Sequence, residues 1–175
     1  PSVEGFYPLD FDMLAALAPQ VNELWIHSTG NLGDVTLPAS LNLKFLAISG
    51  AKVKSLHLEE TSLDALFLSS VHMEGRDHLH LPPNLRGLFI HDGGGIVIPA
   101  HRKLKKLYVS SCPKFRAYML GNFRKLTDAF LMKVQDFNAP LHLTGQDLKE
   151  VYKAFHAQLP ALKENFVTRR AIKKG

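Results

Sequence analysis

Three histidines and one glutamate lie at positions from which they could bind a metal ion together. His57 and His80 occupy the same place in two similar short segments, each flanked by leucines, and His78 lies two residues before His80. If both segments are strands of neighbouring units, the three imidazoles share one face, with Glu59 near them. Such a set of four ligands suits zinc. Surface histidines are more commonly just solvated, so the sequence assigns neither a metal nor any other cofactor.

Cys112 is the only cysteine and hence the only candidate sulfur nucleophile. A reactive thiolate needs a nearby histidine and an electropositive setting, whereas the place of Cys112 in the repeat described below predicts a buried structural thiol. A single cysteine also excludes an internal disulfide framework and fits a reducing compartment. The sequence carries none of the common hydrolase, metalloprotease or nucleotide-binding motifs, and the three glycines at residues 93–95 are not followed by a helix that could bind phosphate. We therefore expect a protein that is not an enzyme.

A leucine-rich pattern determines where these residues lie along the chain. The spacing L-x-x-L-x-L, with conservative replacements, recurs six times, with starts 22, 20, 22, 19 and 22 residues apart. In chain order the units begin at Val21, Leu43, Leu63, Leu85, Leu104 and Leu126. A period of roughly 20 to 29 residues with this pattern predicts a solenoid in which each unit adds one short strand beside the previous one.

The residues within each unit alternate as a half-buried strand requires. The fourth and sixth positions are apolar and are expected to face the core, and they hold Leu24 and Ile26, Leu46 and Ile48, Leu66 and Leu68, Leu88 and Ile90, Leu107 and Val109, and Ala129 and Leu131. A second apolar pattern recurs between the units and predicts a returning limb in each turn. This pattern lies at residues 35–37, 56–58, 79–81, 96–98 and 141–143.

These units resemble the short leucine-rich repeats of bacterial secreted effectors, which have a similar length and carry Leu-Pro or Ile-Pro in the returning limb. The resemblance covers roughly residues 21–143. It implies an α/β solenoid, namely a leucine-rich-repeat horseshoe of about six units with a parallel concave β-sheet. The asparagine or cysteine that the family has at the ninth position is present only as Cys112, so the turns must satisfy their backbone hydrogen bonds in another way.

Helical segments are expected at both ends of the chain. Asp10 precedes the segment FDMLAALA and is a suitable N-cap for a short helix that Pro19 ends. From Thr144 or Gly145 onward the spacing predicts an amphipathic helix that covers the last repeat, with an apolar face of Leu148, Val151, Tyr152, Phe155 and Leu159. We therefore divide the chain into an N-terminal helical cap at residues 1–20, repeats at residues 21–143, and a C-terminal helical cap with a basic tail at residues 144–175.

The outward-facing fifth position is aromatic in five of the six units. We call these six residues the aromatic column, which comprises Trp25, Ala47, Phe67, Phe89, Tyr108 and Phe130. An exposed apolar strip indicates an interaction surface, and aromatic residues are frequent interface anchors. The candidate partner-binding residues are Trp25, Phe45, Phe67, Phe89, His91, Lys106, Tyr108 and Phe130. Two alternatives stay open: a cross-strand ladder that only stabilises the sheet, and a one-residue slip of the sixth unit that buries Phe130.

Charge is divided unevenly along the chain. Residues 1–100 carry a net charge of −6, and residues 101–175 carry a net charge of +11. In a linear stack this arrangement separates an acidic end from a basic end, which can orient a partner, although solvated surface charge is the alternative. The acidic half argues against a nucleic-acid partner. No apolar run approaches the roughly 20 residues that span a membrane.

The sequence therefore predicts a non-catalytic protein–protein interaction module, monomeric or in a heterodimer, that binds a partner protein on its concave face. By resemblance, it is a secreted bacterial effector that acts in host cytoplasm, or a regulator of an effector. The partner is then a host protein or a cognate bacterial effector enzyme. The alternative is the substrate-recognition part of a larger effector enzyme such as a ubiquitin ligase. About 30 residues follow the last repeat, so this alternative requires additional chain.

Overall fold

The computed structural model describes residues 2–3, 10–74, 78–151 and 153. The backbone forms a β-solenoid of about five turns whose strands form two sheets. The strands in chain order are β1 (Ser2–Val3), β2 (Glu23–His27), β3 (Asn31–Thr36), β4 (Phe45–Ser49), β5 (Lys52–His57), β6 (Ala65–Ser69), β7 (His72–Met73), β8 (Leu79–His80), β9 (Gly87–His91), β10 (Lys106–Ser110), β11 (Asp128–Met132) and β12 (Leu141–Thr144). The prediction of a solenoid built on parallel strands is confirmed.

The larger sheet has eight strands in the order β1-β2-β4-β6-β9-β10-β11-β12. Its neighbouring strands are parallel, except that β11 and β12 are antiparallel. The six strands from β2 to β11 in this order correspond to the six predicted units, and each keeps an unshifted register with the next. Because the register is unshifted, equal positions of successive units lie side by side.

The smaller sheet is formed by the returning limbs. Strand β5 is central, β3 lies on one side of it, and β7 and β8 pair in succession with its other side, all in parallel. In the next turn, Ile96 and Ile98 are buried at the corresponding place without forming a strand. In the turn after that, a 3-10 helix at Ala117–Asn122 replaces the limb. The first four predicted limbs are therefore confirmed as parts of one core layer.

The core lies inside the solenoid and consists mainly of aliphatic side chains, with Phe115 and Phe123 also buried. All twelve residues predicted to face inward from the units are buried. Among them are Ala129 and Leu131, while Phe130 between them pairs in register with Tyr108. The sixth unit is therefore not slipped, because a one-residue slip would have exchanged the buried and outward side chains.

The prediction for residues 141–143 was wrong. They do not form a returning limb: β12 folds back and pairs antiparallel with β11 in the larger sheet. The physical reason is the sheet edge, since no further repeat strand pairs with β11 in the described part of the chain. An unpaired strand edge exposes a row of N–H and C=O groups, and β12 satisfies that row within the same chain.

Short helical segments flank the strands. Helix α1 spans Phe11–Leu17, and the Asp10 side chain accepts a hydrogen bond from the Met13 amide at 2.9 Å, as the predicted N-cap requires. Residues 145–151 are helical, and Leu148 is buried there. The rest of the predicted apolar face (Tyr152, Phe155, Leu159) and the basic tail lie outside the described residues. No helix in the described part of the chain is long and apolar enough to cross a membrane.

A left-handed residue ends five of the six repeat strands. It is always the eighth residue of its unit, with φ of 74° at Gly50, 51° at Ser70, 53° at Asp92, 55° at Ser111 and 50° at Lys133. The backbone amide of the eighth residue donates to the next turn of the solenoid in four of these units, and Ser28 of the first unit makes the same bond to Ser49 O without a positive φ. The resulting hydrogen bonds join Gly50 N–H to Ser69 O (3.0 Å), Ser70 N–H to His91 O (2.8 Å), Asp92 N–H to Ser110 O (2.9 Å) and Ser111 N–H to Met132 O (2.9 Å). Backbone hydrogen bonds thus connect successive turns of the solenoid.

Candidate functional site

The aromatic column lies on the outward face of the larger sheet. Strand register pairs Trp25 with Ala47, Ala47 with Phe67, Phe67 with Phe89, Phe89 with Tyr108, and Tyr108 with Phe130. Adjacent strands are about 4.8 Å apart, so the six residues extend over roughly 24 Å. Sequence reasoning therefore placed the column correctly, and the parallel register brings all of its members into one row.

Trp25 and Phe45 lie beside Ala47, the one residue of the column that is not aromatic. Ala47 is the small member of the row, and it is 3% exposed. The rings of Trp25 and Phe45 meet beside it with centroids 5.0 Å apart and planes tilted by 43°. Trp25 itself remains 49% exposed. Phe45, which belongs to a neighbouring row, thus joins the same apolar surface as the column.

Three aromatic rings form a continuous stack at the other end of the column. The rings of Phe89 and Tyr108 have centroids 5.1 Å apart, and those of Tyr108 and Phe130 have centroids 6.0 Å apart. Gly87 leaves space for this stack, because a Cβ atom at Gly87 would lie 3.0 Å from the Phe89 ring. The three rings are half-buried, so they remain partly exposed to solvent although they stack on one another.

A polar network borders the stack at Asp128. The Tyr108 hydroxyl donates to Asp128 Oδ2 at 3.1 Å, and His142 Nε2 lies 2.7 Å from Asp128 Oδ1. The hydrogen bond to Asp128 raises the pKa of Tyr108 above its usual value, because the acceptor carboxylate favours the neutral phenol. His142 was missed as a member of this face because residues 141–143 were predicted to be a returning limb. Its antiparallel pairing with Phe130 places it here.

A row of small polar residues lies along the opposite border. His27 and Ser49 are hydrogen-bonded at 2.8 Å between Nδ1 and Oγ, and the candidate residue His91 is exposed. His91 pairs in register with Ser110, whose hydroxyl is buried and has no hydrogen-bond partner. Buried hydroxyl groups are normally hydrogen-bonded, so the unsatisfied hydroxyl of Ser110 is an exception within this row.

The remaining candidate, Lys106, is exposed at the start of β10. It pairs in register with Gly87 on one side and Asp128 on the other. It therefore adds a positive charge to the end of the surface that carries the three stacked rings. At the other end, Glu23 is exposed at the equivalent position of β2. The end with the stacked rings thus carries Lys106 beside the Asp128 carboxylate, whereas the other end carries Glu23.

Cys112 is a buried thiol and does not have the environment of a nucleophile. It is 1% exposed, and its Sγ lies 3.4 Å from the carbonyl oxygen of Ser110. Burial raises the pKa of Cys112 to about 11, so the group is a neutral thiol at physiological pH. The predicted structural role is in accord with this environment.

The histidine cluster is partly assembled on the smaller sheet. His57 and His80 pair in register, and their rings are stacked with centroids 4.4 Å apart. Glu59 Oε1 lies 3.2 Å from Nδ1 of His57. Ligand atoms of these three residues lie within 4.8 Å of one another, and His78 is not part of this group.

Comparison with known proteins identifies no relative. No family model, no curated protein and no solved structure matches the chain. The functional interpretation therefore depends on the chain's own residues and their arrangement.

Proposed function

We propose that this chain is a leucine-rich-repeat protein that binds another protein through the aromatic column. The observation that carries the proposal is the alignment of five aromatic residues in one register row on an outward sheet face. A row of this length forms an apolar strip of the kind that interfaces use. Tryptophan and tyrosine, both present here, are the residue types that most often dominate binding energy.

The exposure of Trp25 favours binding over a purely stabilising ladder. A cross-strand aromatic pair contributes about 0.2–1 kcal/mol to a sheet through contacts that the folded chain makes with itself. Trp25 makes one ring contact of this kind, with Phe45, and half of its surface nevertheless remains open to solvent. A partner protein that covers this ring gains apolar contact that the isolated chain does not have.

The surroundings of the column also fit a protein partner. Asp128 and His142 provide hydrogen-bonding groups beside the apolar strip, as the polar rim of an interface does. The charged groups differ between its two ends, with Glu23 at one end and Lys106 beside Asp128 at the other, which favours one orientation of the partner. A nucleic acid would instead require positive charge along the whole strip.

The proposed role is non-catalytic, in a monomer or a heterodimer. The resemblance of the repeats to those of bacterial secreted effectors supports a role in host cytoplasm, as an effector or as a regulator of an effector enzyme. In this proposal the larger sheet is the concave side of a horseshoe whose ends are covered by α1 and by the helix that begins at residue 145.

The test compares capture of partner proteins by three forms of the chain. The first is the unchanged chain, the second carries serine at Phe67, Phe89 and Tyr108, and the control carries serine at Lys52, His72 and Glu74, which are exposed and lie outside the aromatic surface. Mass spectrometry identifies the proteins that are retained. We expect a partner that binds the unchanged chain and the control and is lost from the aromatic variant.

A fourth variant separates binding from folding. Trp25→Ser alters a ring that is 49% exposed, so its circular dichroism spectrum should match that of the unchanged chain. It should nevertheless weaken binding by roughly tenfold or more, as loss of an interface anchor does. Equal binding by all four folded forms would refute the proposal.

A further inference from the structure

The cluster of His57, Glu59 and His80 is distant in the fold from the aromatic column, because it lies on the smaller sheet. His57 is the last residue of β5 and His80 the last residue of β8. Their neighbours Leu56, Leu58 and Leu79 are buried, so strand alternation turns both imidazoles outward. The protein-binding proposal does not use these three side chains.

The backbone holds the two histidines side by side. The amide of Leu56 donates to the carbonyl of His78 at 2.6 Å, and the amide of Leu58 donates to the carbonyl of His80 at 2.9 Å. These two bonds fix the backbone before and after His57 against the neighbouring strand. The ring planes are accordingly nearly parallel, at 11°. With the backbone held in place, the direction of each imidazole ring depends only on rotation about its side-chain bonds.

The carboxylate of Glu59 lies next to the first of the two imidazoles. Its Oε1 is 3.2 Å from Nδ1 of His57, and its side chain is 46% exposed. The carboxylate can therefore reach an ion that the two histidines also contact.

We propose that His57, Glu59 and His80 bind one zinc ion. Two imidazole nitrogens and one carboxylate oxygen form a ligand set that zinc accepts, with a fourth position left for water. Zinc bonds of about 2.0–2.1 Å in a tetrahedron place ligand atoms about 3.4 Å apart. The three ligand atoms already lie within 4.8 Å of one another, so small side-chain rotations complete the site.

The ion would join two turns of the solenoid. Glu59 and His57 belong to the second turn and its connection, whereas His80 belongs to the third turn, where β8 has only two residues. Zinc binding to the folded chain therefore strengthens a short strand pair. Because the unfolded chain does not hold the three ligands together, the ion stabilises the native state.

Calorimetric titration of the full chain with zinc chloride tests the proposal. We expect one ion per unchanged chain and an affinity at least roughly tenfold weaker in H57Q, H80Q and E59Q, because each loses a direct ligand. The matched control H72Q changes an exposed histidine of the same sheet and should bind like the unchanged chain. Zinc should also raise the melting temperature of the unchanged chain and of H72Q only.

Cobalt(II) provides a second measurement that does not depend on heats. The intensity of its visible absorption bands distinguishes a four-coordinate site from a hexahydrated ion. We expect the four-coordinate spectrum in the unchanged chain, with loss of the bands on addition of zinc. The proposal is overturned if no saturable zinc binding occurs, or if H57Q and H80Q bind as well as H72Q while all three retain the same circular dichroism spectrum.

Discussion

The hydroxyl of Tyr108 and the carboxylate of Asp128 lie on neighbouring strands and are joined by a hydrogen bond of 3.1 Å. Tyr108 belongs to the aromatic column, and Asp128 belongs to the row of side chains beside it. This bond therefore orients the central ring of the Phe89–Tyr108–Phe130 stack. His142 contacts the other oxygen of Asp128 at 2.7 Å, so the last strand of the sheet contributes to the same arrangement.

The Tyr108–Asp128 bond predicts an alkaline titration that Asp128 controls. The raised pKa of Tyr108 should return toward its usual value in D128N, because the negative charge that favours the neutral phenol is removed. Because the pKa of Tyr108 is raised in the folded state, the bond stabilises the fold at pH values below the unfolded pKa of about 10. This stabilisation is lost as pH rises through the folded pKa. Ultraviolet titration of phenolate, with Y108F to identify the signal, measures the shift. An unchanged pKa in D128N would contradict the assignment.

Phe89 should contribute more to stability than Trp25 does. The Phe89 ring lies over Gly87 and stacks on Tyr108, whereas Trp25 is 49% exposed. We expect F89A to lower the free energy of unfolding by about 2–3 kcal/mol and W25A by about 1 kcal/mol or less. Urea denaturation measures both values. The reverse order would mean that Trp25 acts mainly in folding, which would weaken the protein-binding proposal.

The left-handed conformation that follows five of the six repeat strands can be tested at Lys133. This exposed residue has φ of 50°, a conformation that costs a side-chain-bearing residue about 1–2 kcal/mol. K133G should raise the free energy of unfolding by about 0.5–1 kcal/mol, because the removed strain exceeds the entropic cost of glycine. K133V should lower it by about 1 kcal/mol or more, since branching at Cβ adds strain. Thermal denaturation of both variants measures these changes in stability. Equal changes in K133G and K133V would argue against a left-handed conformation at Lys133.

Gly95 and Gly33 form a matched pair for testing the close approach of two turns. Both have positive φ, at 76° and 64°. A Cβ at Gly95 would collide with the carbonyl of Met73, whereas a Cβ at Gly33 would have no heavy atom within 4 Å. We expect G95A to cost about 3 kcal/mol or more, and G33A about 1 kcal/mol from the backbone conformation alone. Equal losses in a denaturation experiment would show that the turns can separate freely at Gly95.

Cys112 should resist alkylation in the folded protein. Its pKa of about 11 and its burial leave almost no thiolate and little access at neutral pH. Because the folded pKa is raised, the neutral thiol favours the fold below the unfolded pKa of about 8.5, and this contribution is lost as pH rises toward 11. Iodoacetamide labelling followed by mass spectrometry should be slow in buffer and fast in denaturant. Rapid labelling of the native chain would contradict the buried position.

Sequence periodicity was sufficient to predict the aromatic column and the inward-facing residues. Leucine spacing of period two within a unit assigns each side chain to one face, and the repeat length sets the register between units. Phe45 and Lys106 were also placed on the correct face by this alternation. The roles proposed for these residues in binding still await the experiments above.

Other features depended on contacts that no repeat pattern encodes. In the sequence, residues 141–143 look like another returning limb. The free edge of β11 explains why they form β12 instead, and this pairing brings His142 to Asp128. The left-handed eighth position was equally hidden, because it holds glycine in one unit and serine, aspartate or lysine in the others. The residue type at this position therefore does not reveal the conformation.

The sequence by itself determined the solenoid, its six repeat strands and which side chains face the core, because these follow from local alternation repeated at a nearly constant period. Only the tertiary structure decided which outward groups meet. It brought His57, Glu59 and His80 together but left His78 outside the group, and it placed Trp25 against Phe45 beside Ala47. The physical reason is that strand alternation fixes a side chain's face, whereas ring orientation and distances depend on neighbours that are far away in the chain.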